Sequence, residues 1–192
     1  MRRDDLRLLA VPAFRRLWLA RTISLLGSAL SPVALAFGVL DLPGAGAKEL
    51  AYVLTAQTTA TIATVLLGGV LGDRFPRTRM LMVGECVAGV SVGLTAALFL
   101  TGRATPGLLV PLGALAGAGA GLLVPVLGGL VPETVPQDRL QSANALLTFS
   151  RSTVQIGGAA LAGLLVAVVG SGWTLAVDAA SFAIGVVIVA GI

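Results

Sequence analysis

The sequence predicts an all-α membrane protein whose helices thread a bilayer six times. Three observations carry that prediction. Hydrophobic residues make up 56% of the chain and charged residues 11%, against about 25% charged in globular domains. So little charge cannot cover a water-facing surface around that much apolar bulk. The apolar residues fall into six runs, each near or above the ~20 residues that cross ~30 Å of hydrocarbon as a helix. Short turns rich in glycine, proline and charge separate the runs.

Residues 1–16 are polar and carry Arg2, Arg3, Arg7, Arg15 and Arg16. They form a cytoplasmic N-terminal segment. The apolar stretch that follows, Leu17 to Leu40, exceeds the ~7–15 residues of a signal-peptide core, so it is expected to stay as a first helix. Phe14 to Trp18 reads as an amphipathic anchor, with Trp18 at headgroup depth. A six-helix bundle then occupies residues 17–192, with spans at about 17–40, 50–72, 79–101, 107–131, 143–169 and 173–192. The first loop, 41–49, holds Pro43, Gly44 and Gly46. The others are a turn at 102–106, a polar stretch with two prolines at 132–142, and a tight bend at 170–172.

Charge sets the orientation. Arg2, Arg3, Arg7, Arg15 and Arg16, with Arg74, Arg77, Arg79 and Arg139, fall in the N-terminal segment and the second and fourth loops. The opposite loops hold Lys48 and Arg103. Positive charge stays inside, so the N-terminus is cytoplasmic, and six spans return the C-terminus to the same side.

Composition also excludes functions. Lysine plus arginine exceed aspartate plus glutamate by 13 to 9, but the arginines cluster at span ends and no aromatic-basic groove exists, which argues against nucleic acid. With no histidine and one cysteine, zinc ligation and Ser-His catalysis lose their parts. No cofactor and no enzymatic activity are expected. Cys86 lies in an apolar run and reads as a buried small side chain.

Small residues recur every fourth position: Ala56, Ala60, Thr64, Gly68 and Gly72 in the second span, Gly89, Gly93 and Ala97 in the third, and Gly113, Gly117, Gly121, Pro125 and Gly129 in the fourth. That spacing puts them on one face, where helix backbones can approach closely. Ionisable groups inside spans are costly and therefore informative. Arg21 is near enough to the interface to snorkel. Glu85 lies roughly 10 Å into its span at 1.5 Å per residue, too deep for that, so it is protonated, paired or facing a wet cavity. Arg151 shares a polar stripe with Asn144, Thr148, Ser152 and Gln155. Arg151, Asn144 and Gln155 are candidates for lining a substrate path, and Glu85 and Asp178 for proton coupling. For each, an interhelical contact that only fixes packing is the competing reading.

The turn Gly69-Val-Leu-Gly-Asp-Arg-Phe-Pro-Arg-Thr-Arg-Met-Leu81 resembles the signature G-x-L-x-D-R-x-G-R-[RK]-x-x-L between the second and third helices of the major facilitator superfamily. Matches fall at Gly69, Leu71, Asp73, Arg74, Arg77 and Leu81. Pro76 and Thr78 depart from it, and Arg79 supplies a charge one position later. The stretches Val131 to Leu146, Leu161 to Val166 and Asp178 to Phe182 resemble bacterial exporters of that superfamily of the siderophore and macrolide type. Antiporters of the superfamily carry G-P-x-x-G-G in the fifth helix, where this chain has Gly158-Ala-Ala-Leu-Ala-Gly163.

The resemblance implies one six-helix half of a twelve-helix secondary transporter in a bacterial plasma membrane. It implies ion-coupled efflux, by antiport, of a small amphipathic molecule. It implies a gating role for Gly69, Asp73, Arg74, Arg77 and Arg79, with Asp73 at a partner helix terminus and the arginines paired with acids such as Glu133 and Asp138 or with lipid phosphate. Ile192 falls inside or just at the end of the last apolar run. The expected partners are therefore membrane lipid, a small-molecule substrate, and the missing C-terminal half or a second copy. The alternative is a truncated, non-transporting fragment that packs against another membrane protein.

Overall fold

The computed structural model of the chain describes residues 7–72 and 74–190, with the backbone alone for residues 7 and 70–72. A 3-10 turn, Arg7–Ala10, precedes helices α1 (Pro12–Ser28), α2 (Ser31–Leu40), α3 (Ala47–Gly72), α4 (Arg77–Leu100) and α5 (Pro106–Thr134). A second 3-10 turn, Gln137–Arg139, leads into α6 (Leu140–Val189). Among the described residues, five helical stretches are long and apolar enough to cross a membrane, α1 and α2 counting as one.

Proline starts several of these helices. Pro12, Pro32 and Pro106 sit in the first turns of α1, α2 and α5, where a missing amide proton costs nothing and the fixed φ suits the helix. Pro111, Pro125 and Pro132 lie inside α5, which a membrane helix tolerates when neighbours satisfy the freed carbonyls. The predicted first span is not one helix. It breaks at Ala29–Leu30, so α1 and α2 are separate segments of one apolar stretch.

The 50 residues of α6 would be about 75 Å long if straight, far more than a bilayer. They are not straight. Gly170 has φ 82° and ψ 167°, a conformation open only to glycine. The contacts on either side show the reversal. Trp18 meets Ser150 and Ala29 meets Gly158, so the limb 140–169 runs parallel to α1. Ser24 faces Gly185, Gly27 faces Ser181 and Gly38 faces Ser171, so the limb 171–189 runs antiparallel. The tight bend expected at 170–172 is this reversal. Gly44 and Gly102 also have positive φ, in the turns read from the sequence.

Lateral order follows from the same contacts. The helix α5 lies between α3 and α4, α4 also packs on the second limb of α6, and α1 with α2 packs on both limbs. The predicted glycine stripes are packing seams. Gly113, Gly117 and Gly121 of α5 press on Val53, Gln57 and Thr61–Thr64 of α3, and the Thr61 hydroxyl donates to the Gly117 carbonyl at 3.0 Å. Gly84 and Gly119 let α4 and α5 touch backbone to backbone, while Gly89 and Gly93 receive Phe182 and Ala179. The largest apolar cluster, which includes Leu8, Phe14, Leu17, Leu81, Val131 and Leu146, closes the arginine-bearing end.

One expectation is corrected. Cys86 is exposed, on an outward face of α4 with Val83 and Val90. In a lipid-borne helix both the core face and the outer face are apolar, so hydrophobic surroundings do not identify burial.

The seams make a signed prediction. Gly117→Ala drives a methyl into the Gln57 carbonyl and should destabilise the bundle by about 1–3 kcal/mol. Gly163→Ala, with nothing within 4 Å of the added carbon, should be neutral or stabilising by up to ~1 kcal/mol. Thermal unfolding in detergent checks both, and equal shifts would refute the assignment of Gly117 to a seam.

Candidate functional site

A seam of polar side chains runs between the walls of two cavities formed by the described residues. The seam begins on α1 and α2, where Arg21, Ser24, Ser28 and Ser31 recur every three or four residues and so share one helix face. Opposite them the second limb of α6 presents Asp178, Ser181 and Gly185 at the same spacing. Helix α4 contributes Glu85.

Glu85 is 2% exposed. Its Oε1 accepts a hydrogen bond from Arg21 Nη1 at 2.8 Å, and its Oε2 accepts one from Ser24 Oγ at 2.7 Å. An uncompensated carboxylate there would be expensive, and the ion pair with two bonded oxygens offsets that cost. Arg21 therefore turns into the bundle, its side chain 13% exposed, and does not snorkel as the sequence suggested. The buried carboxylate outcompetes the interface because it lies within reach on the neighbouring helix. Gly185 leaves the room: a Cβ at that position would stand 2.6 Å from Ser24 Oγ and 3.0 Å from Glu85 Oε2.

Asp178 is 1% exposed and has a different environment. Ser31 donates a hydrogen bond to its Oδ2, and the Ser181 hydroxyl lies 3.4 Å from Oδ1 while donating to the Asp178 carbonyl at 2.8 Å. Among the described residues it has no ion-pair partner. Gly27 clears space for this cluster on the α1 side. On the other limb, Trp18 Nε1 donates to Ser150 Oγ at 2.9 Å. The indole predicted as a headgroup anchor thus points into the bundle, toward the residue before Arg151.

The larger cavity, a cleft of about 470 Å³, is walled by α1, α5 and the first limb of α6. Arg21, Ser24, Asn144, Thr148 and Arg151 supply its polar wall. The smaller, about 200 Å³, lies toward the opposite end and is bordered by Ser31, Gln57, Thr95 and Asp178. Ser28, Ala120 and Phe182 line both. Phe182 stands at the junction and is held against Gly89. Of the predicted lining residues, Asn144 and Arg151 border the cleft. Gln155 lies one turn further along, exposed and outside its lining.

In the arginine-bearing turn, Arg77 Nη1 lies 3.5 Å from Glu133 Oε1, with its guanidinium laid over Gly129 of α5. This contact joins the start of α4 to the end of α5. Arg74 and Arg79 are exposed and Gly69 faces open space. Asp73 lies outside the described residues.

Sequence reasoning missed the seam's hydroxyls. Ser24, Ser31 and Ser181 are small enough to pass for ordinary helix-packing residues, yet the spacing of Arg21, Ser24, Ser28 and Ser31 could have found them. The junction residue Phe182 has no sequence signal, since any aromatic in an apolar span looks alike.

A family model described as "Transmembrane secretion effector" matches residues 6–191. The chain is 28% identical over 172 residues to the enterobactin exporter EntS of Shigella dysenteriae serotype 1, and likewise to those of Citrobacter koseri and Escherichia coli O1:K1 / APEC. Each alignment covers 88% of this chain and 40% of the relative. The chain thus spans less than half the length of these curated relatives.

The buried pair has a measurable signature. Glu85→Ala strands Arg21 and should cost about 3–5 kcal/mol, whereas replacing both partners with Arg21→Met and Glu85→Leu should recover most of that loss. Thermal unfolding of the single and double variants in detergent checks it. Additive losses would contradict a coupled pair.

Proposed function

Since the chain belongs to the transmembrane secretion effector family of the major facilitator superfamily, we propose that it is a six-pass half of an efflux transporter. The similarity to enterobactin exporters supports export. Six passes follow when the limbs 140–169 and 171–189 each count as a crossing. The arginine distribution supports a cytoplasmic location for both ends of the chain, and with it a bacterial inner membrane. A match that runs through nearly the whole chain favours transport over a fragment that only packs against another protein.

The observation that carries this reading is the cleft. A polar wall of Asn144, Thr148 and Arg151 faces an apolar wall from α5, in a volume within the range that holds drug-sized ligands. Polar and charged groups at that position in a membrane protein mark a transport path. The cargo is a small amphipathic molecule, and the remaining half, or a second copy, would close the cleft from the other side. Gln155, exposed beyond the cleft, is placed to meet that second wall.

Ion coupling by antiport is assigned to the seam. Glu85 would have to give up Arg21 to take a proton. Asp178, bonded to hydroxyls, loses no ion pair on doing so. Asp178 is therefore the better candidate, with Glu85 as the fixed charge beside it. The turn from Gly69 to Arg79 would act as the cytoplasmic clamp. Arg77–Glu133 is one bond of that clamp, and the exposed Arg74 and Arg79 are available to the other half.

Proton-driven uptake into inverted vesicles from cells producing the full-length transporter tests these roles. Arg151→Ala and Asp178→Asn should each lower uptake by roughly tenfold or more, about 1.4 kcal/mol. Asp73→Asn should lower it as well, by weakening the clamp. Unchanged transport in all three variants would remove the assignments.

A further inference from the structure

We propose that the cleft selects an anionic amphiphile and seats its negative group on the guanidinium of Arg151. This rests on the transport reading and adds the charge of the cargo to it. Among the described residues, no acidic one lines the cleft. Its two cations are not equivalent. The charge of Arg21 is taken by Glu85 at 2.8 Å. Arg151 has no ion-pair partner among the described residues. A guanidinium without a counter-charge is expensive within a membrane span, and a ligand anion would offset that cost.

The surroundings fit the same chemistry. Asn144, Thr148 and Arg151 are spaced four and three residues apart and so lie on one face of α6. The guanidinium offers a planar fork that matches carboxylate, sulfonate or phosphate oxygens. The amide of Asn144 and the hydroxyl of Thr148 can donate to the same group. Across the cleft, Leu123, Val124 and Leu127 form an apolar wall for the ligand's body. The second cavity has the opposite character: among the described residues its lining contains Asp178 and no cation. An anion is therefore favoured on one side of Phe182 and not on the other.

The test uses the purified chain in phosphatidylcholine nanodiscs with three ring-matched probes: p-toluenesulfonate, the uncharged p-toluenesulfonamide and 4-methylbenzylammonium. Trp18 lies on Ser150, next to Arg151, so its fluorescence reports the cleft once Trp173→Phe removes the other indole. The sulfonate should bind at least roughly tenfold more tightly than the sulfonamide, the ratio of one charge-assisted bond. Arg151→Ala should abolish that preference, and residual binding of the sulfonamide against the apolar wall shows that the variant is folded. Arg103→Ala, outside the cleft, should change nothing.

Equal affinity for the three probes, a preference for the ammonium, or a preference that survives Arg151→Ala would overturn the proposal. Binding of the neutral or cationic probe in that case would leave the export reading standing, because export is tested separately in vesicles. Repeating the titration with phosphatidylglycerol in the nanodisc identifies the source of the anion. Weaker sulfonate binding there means that a lipid headgroup occupies the same site, and unchanged binding assigns the site to a free amphiphile.

Discussion

The ion pair between Arg21 and Glu85 is the contact on which the interior depends. Lipid cannot solvate a stray charge, so a carboxylate buried in α4 requires a cation at hydrogen-bond distance, and α1 must deliver it. That requirement fixes the rotation of α1, which then turns Ser24, Ser28 and Ser31 inward on the same face. The second limb of α6 meets this face with Asp178, Ser181 and Gly185. Glycines at 27 and 185 exist where the polar groups need the space. A polar seam inside an apolar protein is thereby built from three segments at once.

Elsewhere the bundle is held by shape. Between helices in lipid there is little hydrophobic driving force, so close backbone contact must supply the packing. The glycines of α5 provide it against α3 and α4. Nothing comparable joins α5 to the first limb of α6, and the cleft opens between them. Tight seams on one side and an open wall on the other give the unit a concave polar interior and an apolar exterior, with exposed Ile62, Leu66, Ile156 and Val168 on its outer surfaces.

The fold was largely legible in the chain. Run length, turn glycines and arginine placement marked the helices and the bends at Gly44, Gly102 and Gly170, and period-four small residues marked the seams. What escaped was which way a side chain points. Arg21 was close enough to the interface to snorkel, and only the position of Glu85 on a neighbouring helix decides otherwise. Cys86 was read as buried because apolar neighbours mean burial in water but not in lipid. The break at Ala29–Leu30 has no helix-breaking glycine or proline at the break itself, although Pro32 follows it closely. Of the residues that border the cleft, Asn144 and Arg151 stand out in the sequence through their cost in a membrane, while Phe182 carries no such cost and the serines are signalled only by their spacing with Arg21.

The central claim is that polar groups face a wet interior and apolar ones face lipid. Thiol labelling in membrane vesicles tests it most directly, comparing the native Cys86 with Thr148→Cys in a Cys86→Ser background. A membrane-impermeant maleimide should modify position 148 from the arginine-bearing side, and Cys86 should react only with a lipid-soluble reagent. Labelling of Cys86 by the impermeant reagent, with position 148 protected, would contradict that claim.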